Sequence, residues 1–275
     1  ASAVDGAAVM RRSLPVLAYH FIDDGQCGYD FPPAERPYVV SAETFREHLA
    51  FLRTEGYQAV SLSHYARCGS DTTPLPDQPI AITFDDGHVS SAELATGALE
   101  DAGMSATFFI ITDRVGEPGF VTWDQARDLA ERGMEIGSHS VSHRPLTALA
   151  EAELRKELAE SRHALEQQIS APCQHISLPH GFATSSVLDA ALEQYATVCT
   201  SDAGLNDVAA QPRRLKRLSL RAGMGAPALR SLLNPRSPAH LWARLRDALS
   251  RPLKRAFLFR RADHGPAPRR EARDD

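Results

Sequence analysis

Two short runs of this sequence hold the residues best suited to chemistry. Thr83-Phe84-Asp85-Asp86-Gly87 supplies adjacent carboxylates, and Ser138-His139-Ser140-Val141-Ser142-His143 supplies two imidazoles four residues apart. A carboxylate and two imidazoles can hold Zn²⁺ or a similar divalent ion while leaving positions for water and substrate. With Asp86, His139 and His143 on the ion, Asp85 is left over as a base, and that combination describes a hydrolase. Each run alone says less. Asp-Asp-Gly is also an ordinary strand-to-turn sequence, and the chain has 11 histidines. On a helical turn the four-residue spacing puts both rings on one side. The hydroxyls of Ser138, Ser140 and Ser142 are expected to hydrogen-bond the outer ring nitrogens.

Bringing these residues together requires elements that end at a common rim. Pro15 to Tyr19 reads as a strand. Ser41 can N-cap a helix carrying Phe45, Leu49 and Leu52 on one face and stopping at Gly56. Val60-Ser61-Leu62 reads as a short strand, and Pro79 to Phe84 as an apolar strand ending at the aspartates. Helices are expected from about Ser91 to Ala102, from Trp123 to Arg132, from about Ala150 to Ile169 and near Ser185 to Gln194. Between them lie strands at Ala106 to Ile111, Met134 to Gly137, His175 to Leu178, Ala196 to Thr200 and Leu215 to Leu220. Strands alternating with helices imply an α/β fold with a parallel sheet, and about eight strands in this length favour a closed barrel over an open sheet. Ligands bind at the carboxyl ends of such strands. Asp85 and Asp86 follow one strand, His139 a second, and Pro179-His180-Gly181 a third, so all fall on one rim.

The composition fits a globular protein, with 43% hydrophobic and 24% charged residues. Four widely spaced cysteines without a CxxC pair argue against a disulfide scaffold or a structural zinc site. Residues 1–212 carry 13 Lys and Arg against 30 Asp and Glu, a balance of −17; residues 213–275 carry 17 against 5, a balance of +12. A basic end on an acidic body is expected to meet something anionic: the body itself, a membrane surface or a partner. The stretch Ser237 to Phe259 places Leu241, Leu245 and Leu249 at helical spacing beside Trp242, with Pro252 as an interruption. It reads as a basic amphipathic helix, with packing on the barrel expected ahead of contact with an anionic surface. From His264 the chain reads as disordered. Nucleic acid is the weakest candidate partner, because the basic residues gather in a tail without interleaved aromatics. Ala1 to Met10 is too short and uncharged for a signal peptide, and no apolar run approaches a membrane span. This tips the expectation toward the cytoplasm over the cell envelope, although a leader removed before residue 1 would leave the same sequence.

The two opening motifs resemble the first and second motifs of the polysaccharide deacetylase family, also called the NodB-homology domain or carbohydrate esterase family 4. The resemblance covers about residues 14–222, leaving an N-terminal arm, 1–13, and a basic helical extension with a tail, 223–275. It implies a distorted (β/α) barrel of about seven or eight parallel strands and one divalent ion, Zn²⁺ ahead of Co²⁺. By position it implies Asp85 as the catalytic base and Asp86, His139 and His143 as metal ligands. Leu178-Pro179-His180-Gly181 resembles the third motif, in which the backbone N–H of His180 would hold the oxyanion, with Pro179 and Gly181 lining the substrate. Leu17-Ala18-Tyr19-His20 and the pattern Phe45…Leu49…Leu52…Gly56-Tyr57 resemble members acting on extracellular polysaccharides, and His20 joins the substrate-lining candidates. Two motifs depart. The third lacks the arginine that orients the base in the family, and the final strand, Leu218-Ser219-Leu220, lacks the Leu-x-His that supplies the general acid. The proton donor is left to the His180 side chain, His20 or a water on the ion. The implied function is a hydrolase removing N-acetyl groups from an amino-sugar polymer or its precursor. An O-acetyl carbohydrate esterase and a catalytically weak carbohydrate-binding protein are the rivals.

Overall fold

The computed structural model describes residues 12–68, 74–246 and 248–249. The N-terminal arm up to residue 11, Pro252 and the tail from His264 lie outside the described residues. Eight parallel strands follow one hydrogen-bonded path: β1 (Val16–Tyr19), β2 (Pro79–Phe84), β3 (Thr107–Ile110), β4 (Glu135–Ser138), β5 (His175–Ser177), β6 (Thr197–Cys199), β7 (Arg214–Leu215) and β8 (Leu218–Ser219). Their spatial order is β7-β6-β5-β4-β3-β2-β1-β8. Both ends of that path belong to a single segment. β7 pairs with β6, while β8, three residues on, pairs with β1, so residues 214–219 draw the two ends together into a distorted barrel. Every residue of β2 is buried, as expected for a parallel strand covered on both faces.

The helices form where the apolar spacing places them. Helix α1 (Ala42–Thr54) starts at Ser41, whose side chain accepts the Thr44 N–H, and buries Phe45, Leu49 and Leu52. Helix α2 is Leu62–Arg67, and α3 (Val89–Asp101), α4 (Trp123–Glu131), α5 (Glu151–Ile169) and α6 (Ser185–Gln194) connect successive strands. Helix α7 (Ala226–Leu233) buries Leu229, Leu232 and Leu233 in the main core. The four cysteines are free. No helix among the described residues is long and apolar enough to cross a membrane.

Three expectations need correction. Val60-Ser61-Leu62 is not a strand: pairing to β2 ends with Gln58–Ala59, and Ser61 caps α2 by accepting the His64 N–H. The final strand is not continuous from Leu215 to Leu220; it breaks at Lys216 and Arg217, whose backbone N–H groups donate to Asn206 Oδ1 and the Asp202 carbonyl instead. The leucines of the basic helix, described over 238–246 and 248–249, do not pack on the barrel. His240 is buried against the Leu232 carbonyl at 2.7 Å, and this phase turns Leu241, Leu245 and Leu249 outward, each about half exposed.

At the barrel floor, Glu135 at the start of β4 accepts the N–H groups of Leu62 and Ser63 at 3.0 Å each and the Thr107 hydroxyl at 2.8 Å. The His175 ring joins it, with Nε2 at 2.9 Å from Ser63 Oγ and Nδ1 at 2.7 Å from Thr197 Oγ1. Burial pushes the Glu135 carboxyl up, but His175, Ser63 and Thr107 outweigh it and hold it at about 2. A carboxylate held below its unfolded value stabilises the fold above that value and ceases to do so as pH falls through the folded one. Glu135→Gln should therefore cost about 2–3 kcal/mol at neutral pH. Denaturant unfolding should show the gap from the unmodified protein closing between roughly pH 4.5 and pH 2. A gap that stays constant across that window would remove Glu135 from the folding balance.

Candidate metal centre and active site

Asp86 continues from β2, and His139 from β4, with His143 at the far end of the same loop. His139 Nε2 lies 3.3 Å and His143 Nε2 3.4 Å from Asp86 Oδ1, and one donor atom from each residue falls within 4.8 Å of the others. Ligands about 2.0–2.1 Å from a tetrahedral ion are separated from one another by roughly 3.4 Å, so these spacings suit a small divalent cation. The tautomer agrees. His139 Nδ1 donates to the Ser177 carbonyl at 2.7 Å, which leaves the Nε2 lone pair facing Asp86. Burial pushes the His139 ring down, but Asp85 and Asp86 more than offset it and its pKa rises. Burial, then the neighbouring His139, holds His143 at about 3, the neutral form that binds metal. Asp86, His139 and His143 could together hold a metal ion.

Asp85 is buried and is not one of the three clustered donors. Its two oxygens each accept a 2.7 Å hydrogen bond from Arg217, a bidentate pair sealed inside the barrel. Arg217 also donates to the Thr200 carbonyl at 3.0 Å and Ser177 Oγ at 2.9 Å. Burial raises the Asp85 pKa, but Arg217, then His139, bring it down to about 2, so the carboxylate is ionised. Arg217 is the residue that sequence reasoning missed. It sits inside Arg213-Arg214-Leu215-Lys216-Arg217, where four basic residues in five look like a solvated edge. The only signal available was the paired aspartates' need for a buried cation. A guanidinium from the closing segment thus stands where the third motif has no arginine to offer.

The loops that hold these groups are strained and tethered. Asp86, Ser140, His143 and His180 all have φ between 59° and 73°, and they are four of the six non-glycine residues with positive φ among those described. Each such residue costs on the order of 1 kcal/mol and survives only where its surroundings enforce it. The serines provide part of that enforcement, though not as expected: they bind backbone, not the rings. Ser138 Oγ accepts the Ser140 N–H, and Ser140 Oγ the His143 N–H, both at 3.1 Å. Glu157, buried on α5, accepts the N–H groups of Val141 and Ser142 at 2.9 and 3.0 Å and the Ser142 hydroxyl. Gly181, at φ 71°, packs so tightly on Ser201 that a Cβ would collide with the Ser201 backbone and side chain.

Around the centre lies a cleft of about 890 Å³. His20, His180 and Gly181 line it, together with Tyr38, Glu35 and Arg221; Pro179, expected to line the substrate, is buried and is not among the lining residues. The His180 ring centroid is 4.7 Å from that of His143. The His20 ring centroid lies 4.7 Å from that of Tyr38, the two rings tilted by 36°, and its Nδ1 is buried without a hydrogen-bond partner. His240 stays out of the cleft, bonded to Leu232.

Residues 72–198 match the family model described as polysaccharide deacetylase. The YxkH protein of Bacillus subtilis (strain 168) is 28% identical over 178 residues, which are 65% of this chain and 60% of that protein. The poly-beta-1,6-N-acetyl-D-glucosamine N-deacetylase of Escherichia coli (strain K12) is 30% identical over 140 residues, 45% of this chain and 20% of that protein. The chain therefore spans less than two thirds of the length of either relative. The fold is similar to that of the Streptococcus pyogenes deacetylase PplD in complex with acetate, at a TM-score of 0.72 and 23% identity over 81% of this chain and 99% of that one.

Because Glu157 fixes the loop that carries both histidines, Glu157→Gln should weaken binding of Zn²⁺ about tenfold or more, as loss of an outer hydrogen-bond partner does elsewhere. Competition with a chelator of known affinity measures this. Unchanged affinity would show that the loop holds its shape without the tether.

Proposed function

We propose that the chain, whose residues 72–198 match the family model described as polysaccharide deacetylase, is a metal-dependent hydrolase that removes N-acetyl groups from an amino-sugar polymer or its precursor. The observation that carries this reading is the meeting of Asp86, His139 and His143 at one point beside a buried, ionised Asp85 at the base of an open cleft. Zn²⁺ held by those three residues would supply Lewis acidity toward water and the acetyl oxygen.

The remaining roles fall to the chain itself. Asp85 accepts the proton of the attacking water. Arg217 occupies one lone pair on each Asp85 oxygen, so it orients the carboxylate and lowers its basicity while leaving further acceptor capacity free. A base this weak can act only on a water already made acidic, which ties its use to the ion. The backbone N–H of His180 is assigned to the developing oxyanion. His20 is assigned as proton donor to the leaving amine. The residue lines the cleft, with Nδ1 buried and without a hydrogen-bond partner. Burial holds its pKa below the ordinary value against the pull of Asp86 and Asp85.

Acetate release from N-acetylated glucosamine oligomers and from acetyl-xylan tests the reading, and separates N- from O-deacetylation. Asp85→Asn should reduce release about 10²–10⁴-fold while zinc stays bound; near-normal turnover would remove Asp85 as the base. His20→Ala should lose a similar factor on the amide yet retain activity on an aryl acetate, whose leaving group needs no proton. If His180→Ala shows that signature instead, the donor is His180.

A further inference from the structure

One wall of the cleft is built by residues that follow β8, outside the segment that matches the family model. It includes Arg221, Met224 and Leu232, then Trp242 and Arg246 from the helix over 238–246. The guanidinium of Arg221 lies 4.9 Å from the Tyr38 ring centroid, beside His20, and its Nε is buried without a hydrogen-bond partner. Neither Arg221 nor Arg246 makes an ion pair among the described residues, and of the arginines in this stretch these two and Arg217 line the cleft, Arg217 being paired with Asp85. Glu35 lines the same cleft, but the charges acting on its carboxyl are Asp86 and Arg114. Trp242 keeps 61% of its surface exposed, although it borders a concave site.

We propose that Arg221, Arg246 and Trp242 form a subsite for a uronate sugar next to the acetylated one, so that the polymer is an acidic glycan. This rests on the deacetylase reading of the cleft. A guanidinium held at the wall of a cleft without an anionic partner among the described residues is stabilised by a substrate anion. Two guanidinium groups on one wall, neither in an ion pair among the described residues, select a carboxylate, whose oxygens match their planar forks. The exposed indole offers a flat apolar surface to the C–H face of a pyranose ring. A neutral glucosamine polymer would use the indole and leave both cations facing hydroxyls.

The full chain, stripped of metal by a chelator so that nothing is turned over, is titrated calorimetrically with two tetrasaccharides. One alternates N-acetylglucosamine with glucuronate, and the other contains N-acetylglucosamine alone. The acidic tetrasaccharide should bind at least about tenfold more tightly at low salt, the advantage of one charge-assisted contact, and the preference should shrink as salt is added. In the Arg221→Gln, Arg246→Gln double variant the two should bind alike. Quenching of tryptophan fluorescence by either ligand should vanish in Trp242→Phe, where Trp123 remains. Equal affinities in the unmodified chain would overturn the subsite, as would a preference that survives in the double variant. Acetate release is not read here. A chain that prefers the acidic ligand but hydrolyses no glycan would overturn the deacetylase reading alone; one that deacetylates but binds both ligands equally would overturn the subsite alone.

Discussion

A carboxylate can be kept ionised inside a barrel only if a cation is sealed in with it, and the pair between Asp85 and Arg217 meets that constraint. The two residues are 132 positions apart. Asp85 directly follows β2, an interior strand of the sheet, while Arg217 belongs to the segment that brings the sheet's two ends together. Breaking such a pair from one side leaves a bare buried charge, at a cost of about 3–5 kcal/mol, so the residue that closes the barrel also holds the base ionised. The same requirement explains the split final strand. An unbroken run from Leu215 to Leu220 would have left the Lys216 and Arg217 N–H groups in the ladder; here they bond to Asn206 and Asp202, and the Arg217 side chain turns inward.

The two ends of the barrel divide stability from chemistry. At the floor, Glu135, His175, Ser63, Thr107 and Thr197 satisfy one another in a closed network, and α2 is capped by it. At the rim, Asp86, Ser140, His143 and His180 sit in left-handed backbone, which residues other than glycine hold only where their surroundings enforce it. The strained rim holds because rigid elements beneath grip it: Glu157 from α5, the Ser177 carbonyl from β5 and Ser201 against Gly181. What results is a set of lone pairs and charges that face one point before any ligand arrives.

The wall beyond β8 adds a layer of a different kind. Helix α7 shares the main core, and the Met224 carbonyl before it accepts from the His48 ring on α1 at 2.7 Å. That anchorage brings Trp242 and Arg246 to the cleft on a rigid support, even though the residues that match the family end well before them. The reaction centre and the surface that would select among substrates therefore come from separate stretches of chain.

Much of this was legible in the sequence. The strand positions, the caps at Ser41, the helix faces of Phe45, Leu49 and Leu52, and the gathering of Asp85, Asp86, His139, His143 and His180 on one rim follow from local periodicity and from the rule that parallel strands end together. The misreadings share a cause. Val60-Ser61-Leu62 has strand composition, but Glu135, 73 residues on, caps the helix that starts there. The leucines of the last helix have a packing pattern, but one buried histidine sets the helix phase against them. The serines beside His139 and His143 were close enough in sequence to serve the rings, yet the nearer backbone N–H groups took them. Which residue types cluster, and at what spacing, is a property of the chain as a string. Which cation meets Asp85, and which carboxylate holds the histidine loop, was decided only in three dimensions, because a buried charge is satisfied by whatever the fold brings within about 3 Å of it, whatever the distance along the sequence.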